Sequence, residues 1–132
     1  MELFNQEQYQ PLIQNGSDPD KDYPPMAHLF LPVSRCEWLL SEIDPQQPNI
    51  AFGLCDLGMG FPELGYVDLD ELQNLRSEYW GCNPVMANPL FEGKYPMSIY
   101  AAAAKICDAI TRKNALLKKL YAIDLLNKKA QS

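Results

Sequence analysis

All eleven prolines and all seven glycines of this 132-residue chain lie before residue 97, and the 36 residues that follow contain neither. Proline removes a backbone donor, and both residue types disfavour helix interiors. A long uninterrupted helix therefore fits only the last quarter of the chain. Ahead of it, the breakers divide the sequence into short pieces suited to strands, brief helices and turns. The pattern predicts an α+β fold: a small antiparallel sheet of about four strands packed by helices, with a long C-terminal helical segment. The length fits one domain. It reads as an acidic α+β body over residues 1–97 and a helical extension over 98–132, packed on that body or projecting from it.

The local signals place the elements. Asn5 to Gln14 reads as a helix weakened by Pro11 and ended by Asn15-Gly16. Met26–Leu31, Cys36–Ile43 and Ile50–Leu57 read as three strands joined by turns, and Glu63–Val67 as a fourth. Gly53 inside a strand suggests a bulge or a close backbone approach. Asp68 followed by Glu71 has capping-box spacing for a helix running to about Ser77. Residues 78–96 read as a long irregular stretch.

From Ser98 to about Lys129 the sequence reads as helix, with Lys113-Asn114 interrupting its apolar face. Those 32 residues, helical throughout, would extend about 48 Å. A body of about ninety residues is nearer 30–35 Å across, from a radius of gyration of about 12–13 Å. The segment therefore either breaks and folds back on the sheet or overhangs. An overhanging face would suit a homodimer through Ile110, Asn114, Leu117 and Tyr121, with the polar Asn114 fixing register.

Charge is divided along the chain. Fifteen of the seventeen acidic residues but only three of the eleven Lys and Arg lie in residues 1–92, giving −12 there and +6 in the remainder. An acidic body repels phosphate, so nucleic acid is not the expected partner, and the basic tail is the sole candidate for such contact. No apolar run approaches a membrane span and the N-terminus lacks a signal-peptide layout, so no membrane partner and a cytoplasmic location are expected.

The usual catalytic signatures are missing. Cys36, Cys55, Cys82 and Cys107 lack Cys-x-x-Cys spacing and read as reduced, mostly buried thiols, so no zinc site is expected. Asp18, Asp20 and Asp22 alternate but lack the glycine and closing glutamate of a calcium loop. Gly58-x-Gly60 is not a dinucleotide fingerprint. No metal or cofactor is expected. His28, the single histidine, lies in an apolar strand and reads as a structural hydrogen-bonder. Asp56 and Glu63 flank a six-residue loop and would meet in a hairpin beside Phe61 and Tyr66. Such a pair could do acid–base work; each alone reads as an acceptor for loop N–H groups.

His28-Leu29-Phe30-x-Pro32, Trp38 to Pro45 and Phe52 to Val67 resemble the DUF2958 family, uncharacterised small bacterial proteins often found on plasmids and other mobile elements. Pro96-Met97-Ser98-Ile99-Tyr100-Ala101 resembles that family's closing segment. The resemblance spans residues 26–104. It implies a single small α+β domain in a mobile-element setting and brings no established catalytic residue. Residues 79–92 depart from the family pattern, and 105–132 read as an extension.

Together these readings favour a non-enzymatic binding or regulatory accessory protein of a mobile element. It would contact a host or mobile-element protein, antagonism of a host defence protein being one form. The candidate partner- or ligand-binding residues are Trp38, Asp44, Asp56, Phe61, Glu63 and Tyr66. The alternative is a small carboxylate-dependent hydrolase or lyase using Asp56 and Glu63.

Overall fold

Asn5 starts the first helix by a reciprocal cap: its side chain accepts from the Gln8 N–H at 2.8 Å, and the Gln8 amide oxygen accepts from the Asn5 N–H. In the computed structural model, which describes residues 3–32, 34–75 and 84–131, this helix is α1, Gln6–Gly16. Pro11 lies inside it without ending it.

Four strands follow as a meander: β1 (Ala27–Phe30), β2 (Glu37–Ile43), β3 (Ile50–Asp56) and β4 (Glu63–Asp68). Helix α2 (Leu69–Gln73) is capped by Asp68, whose carboxylate accepts from the Asp70 and Glu71 N–H groups. A two-residue strand, β5 (Met86–Ala87), then pairs with β1. The sheet is wholly antiparallel with order β4-β3-β2-β1-β5. It has five strands where the sequence predicted about four. The end of the expected second helix, residues 76–77, and the first six residues of the irregular stretch, 78–83, lie outside the described residues.

Both faces of the sheet are covered. Ala27, Leu29, Trp38, Leu40 and Ile43 pack with Leu12 of α1 and with Leu69 and Leu72 of α2. Leu39 and Leu54 point the other way, into Met97, Ile99, Tyr100, Ala103 and Ala104 of α3 (Met97–Cys107) and Leu117 of α4 (Asn114–Gln131). The central strands are therefore covered on both sides: in β2, Trp38, Leu39, Leu40 and Ser41 are buried in succession. Close approach at their centre requires Gly53: a Cβ there would lie 1.9 Å from the Leu39 carbonyl oxygen. The β2–β3 register shifts between Leu40 and Glu42, leaving Ser41 as the extra residue of a bulge.

The C-terminal segment is two helices, not one. Asp108 takes the left-handed conformation (φ 56°) and ends α3, and α4 packs back against it. Ser98 does not cap α3 with its own side chain. Its N–H and hydroxyl both donate to Asp22, which reaches over from the loop before β1. Of the three alternating aspartates, Asp22 thus holds the start of α3, while Asp18 pairs with Lys21 at 3.0 Å.

Candidate functional site

Strand β3 ends on Asp56, and the chain must then reverse into β4. Asp56 is 2% exposed, and its two oxygens accept from different places. The Gly58 N–H donates to Oδ1 at 2.8 Å and the Ile110 N–H to Oδ2 at 2.9 Å. The carboxylate thus closes the turn and also ties down the link between α3 and α4. Gly58 (φ 77°) and Gly60 (φ 86°) hold left-handed conformations that only glycine adopts cheaply. Leu57, Met59 and Phe61 alternate with them and are exposed to 60, 75 and 78%.

The exposure continues along β4. This strand is the sheet's edge beside β3, and Leu64 and Tyr66 project from it on the α3 face, opposite Leu54 and Phe52. Leu64 is half-exposed and Tyr66 is 79% exposed, its ring edge-on to Phe52 at 5.3 Å. Five large apolar side chains therefore face outward within ten residues of chain. Monomeric proteins seldom leave such a concentration open unless it meets something.

Asp56 and Glu63 are not brought together. Directly paired residues share a face, and β4 pairs Glu63 with Cys55, one position before Asp56. Glu63 therefore stands exposed on the α1 face, while Asp56 is buried on the α3 face with both oxygens occupied. The remaining candidates divide as clearly. Phe61, Glu63 and Tyr66 cluster on the hairpin. Trp38 is buried in the α1-side core. Asp44 is exposed in the β2–β3 turn, accepting from the Gln46 N–H at 2.9 Å; that turn is at the other end of β3, about 20 Å from the tip for a seven-residue strand.

The expected self-association residues are used within the chain. Ile110 and Leu117 are buried under the sheet. Asn114 accepts from the Tyr95 hydroxyl at 2.7 Å, and the Tyr121 ring packs edge-on against Tyr95 at 5.5 Å. The fold-back of α4 on α3 thus consumes the face that an overhanging helix would have offered. On α4, Ile123, Leu125 and Leu126 are left exposed instead.

A second concave region surrounds His28. Its Nε2 lies 2.8 Å from Glu37 Oε1, and its Nδ1 lies 3.3 Å from the Asn88 side-chain nitrogen. An amide NH₂ can only donate, so Nδ1 accepts and Nε2 carries the proton given to Glu37. The ring sits between Phe30 and Phe91, with centroids 5.4 and 5.7 Å away. A cavity of about 520 Å³ adjoins it, walled by Phe30, Leu31, Met86 and Arg112. With both ring nitrogens engaged, His28 has no free lone pair to act as a base, and the geometry is that of a structural histidine. Neither partner stood out in the sequence. Glu37 reaches His28 through the hairpin register, and Asn88 arrives from 60 residues away.

Cys36 and Cys55 are half-buried free thiols, and burial pushes the Cys55 thiol up from its ordinary range, which makes it a poor nucleophile. Cys107 is exposed, against the expectation of burial, and Cys82 lies outside the described residues. Among the described residues no three His, Cys, Asp or Glu side chains gather to hold a metal ion, and no helix is long and apolar enough to cross a membrane.

No curated protein and no solved structure matches the chain. A family model described as "Protein of unknown function (DUF2958)" matches residues 3–111. The match takes in α1 as well as the segment from residue 26, and it ends in the link after α3, so α4 follows it. From the first turn of the fold to the loop held by Asp56, the chain belongs to the DUF2958 family.

Proposed function

We propose that this protein is a non-enzymatic binding or regulatory protein that acts through protein–protein contact at the β3–β4 hairpin. The observation that carries the reading is the exposure of Phe61 and Tyr66, each nearly four-fifths open, on a hairpin whose turn is fixed by a buried carboxylate. Large aromatic side chains held on a rigid support are the residues that dominate binding energy in protein interfaces. The acid–base alternative loses its geometry, because Asp56 and Glu63 lie on opposite faces of the sheet. The mobile-element setting implied by the family resemblance makes a host or element protein the class of partner, a host defence protein included.

The test is chemical crosslinking in host cells, with the wild type compared with a Phe61→Asp/Tyr66→Asp variant. A Leu125→Asp/Leu126→Asp variant on α4, where both side chains are exposed, serves as the control of equal charge change. The reading expects a crosslinked partner that the hairpin variant loses and the α4 variant keeps. Equal capture by all three proteins, or no partner at the hairpin, refutes it.

A further inference from the structure

The two edges of the sheet are closed to very different degrees. At one edge β5 is two residues long, and Asn88 beyond it is bound back to β1 through the His28 carbonyl. At the other edge β4 runs for six residues, all paired in unbroken register with β3, and among the described residues no strand pairs with its outer side. Soluble proteins blunt such edges with bulges, prolines, lysines or covering loops. From Glu63 to Asp68 there is no proline, no lysine and no register shift. The side chains beside this edge are Leu64 and Tyr66, both open to solvent.

The charges near the edge are acidic at both ends. Glu63 begins the strand, and Asp68, Asp70 and Glu71 follow its end, with Asp70 and Glu71 exposed. Arg35 packs against Gly58, but on the β2 side of the hairpin, away from this edge. A second copy fits poorly. Antiparallel self-pairing would set Glu63 of each copy against the Asp68-Asp70-Glu71 end of the other, twice over, and like charges across a strand pair destabilise it.

We infer that the outer edge of β4 is a strand-addition site for an extended segment of a partner protein, with basic residues at its ends and aliphatic or aromatic residues between them. The main-chain groups of β4 would hold the segment, Leu64 and Tyr66 would meet its apolar side chains, and the flanking carboxylates would meet its ends. This inference rests on the proposed hairpin contact and adds to it the conformation and charge of the partner.

The test uses the full chain and four capped heptapeptides, read by fluorescence polarisation with a dye on the peptide. The first is Lys-Thr-Val-Thr-Phe-Thr-Lys. The second replaces both lysines by glutamates. The third and fourth carry N-methyl groups on one or the other set of alternate amides. An added strand donates through one set only, so one methylated peptide should lose about ten-fold or more in affinity while the other stays within about three-fold. The glutamate-ended peptide should bind about ten-fold more weakly than the lysine-ended one at low salt. Glu63→Lys, at an exposed site, should narrow that preference.

Equal binding of the two methylated peptides overturns strand addition while leaving the hairpin contact standing. Loss of partner crosslinking in the Phe61→Asp/Tyr66→Asp variant is a separate readout, so the two ideas fail separately. Failure of every peptide to bind overturns the inference. So does sedimentation of the wild type as a dimer that these peptides do not dissociate.

Discussion

The β3–β4 hairpin and the α3–α4 pair are built from similar material but put it to opposite use. Both carry large apolar side chains at regular spacing next to polar ones. In the helical pair, Ile110, Leu117 and Tyr121 turn inward, because the chain breaks at Asp108 and brings α4 back over α3. In the hairpin, Leu57, Met59, Phe61, Leu64 and Tyr66 turn outward, because the positive-φ glycines and the edge position of β4 leave them uncovered among the described residues. Apolar spacing alone thus does not say whether a surface is core or interface. What decides is whether the chain returns to cover it.

That contrast can be broken most forcefully at Leu117. Leu117→Ala removes a fully buried side chain between α4 and the sheet and should cost about 2–4 kcal/mol in urea unfolding. A cost under about 0.5 kcal/mol would mean that α4 is not part of the core. Next in size is Asp56→Ala, which strands the buried Ile110 N–H and frees the part-buried Gly58 N–H of the turn, and should cost about 2–3 kcal/mol. Hydrogen exchange should then speed up at both amides; protection lost at one alone would uncouple tip and link. Asp108→Gly relieves a left-handed non-glycine residue and should raise stability by about 0.5–1 kcal/mol.

Smaller effects sharpen the outward half of the comparison. Phe61→Ser and Tyr66→Ser should each change thermal stability by less than about 0.5 kcal/mol, since neither side chain is buried. A larger loss would make them part of the fold and not of an interface. Smallest is Glu42, which shares a row of the sheet with Phe52 and Tyr66. Burial, with Asp20 adding to it, holds its carboxyl above the usual carboxylate range, so the folded state disfavours the ionised form. Its ionisation therefore subtracts stability at neutral pH, and the loss is recovered as pH falls through that raised value. Glu42→Gln should stabilise by a few tenths of a kcal/mol at pH 7, allowing for solvent screening, and by nothing below about pH 4.

Much of the fold is written in local signals. The strand–turn rhythm from residue 26 to 68 gives the meander, Asp68 gives its cap, and Gly53 marks the crowded centre of the sheet. What the sequence hides are features made by distant residues. Strand β5 is two residues long and exists through main-chain pairing with β1, so it has no periodicity to detect. The break after α3 falls on an aspartate, where a glycine would have announced it. The role of Asp56 depends on Ile110, 54 residues later. The pairing of Glu63 with Asp56 failed on parity: seven residues, 56–62, separate the paired Cys55 and Glu63 where the expected hairpin had six, and a one-residue offset sends a side chain to the other face. Phe61 and Tyr66 are legible as candidates only through their place beside the Asp56–Glu63 loop; their exposure follows from the edge position of β4, which the sequence does not show.

The carboxylate of Asp56 has one more consequence. It is a single anchor shared by two backbone segments, and neither can let go without leaving the other held by a half-satisfied buried acid. The tip that faces outward and the joint at which the family portion of the chain gives way to its last helix are therefore one mechanical unit. A load placed on the hairpin is transmitted to the base of α4 across a single residue.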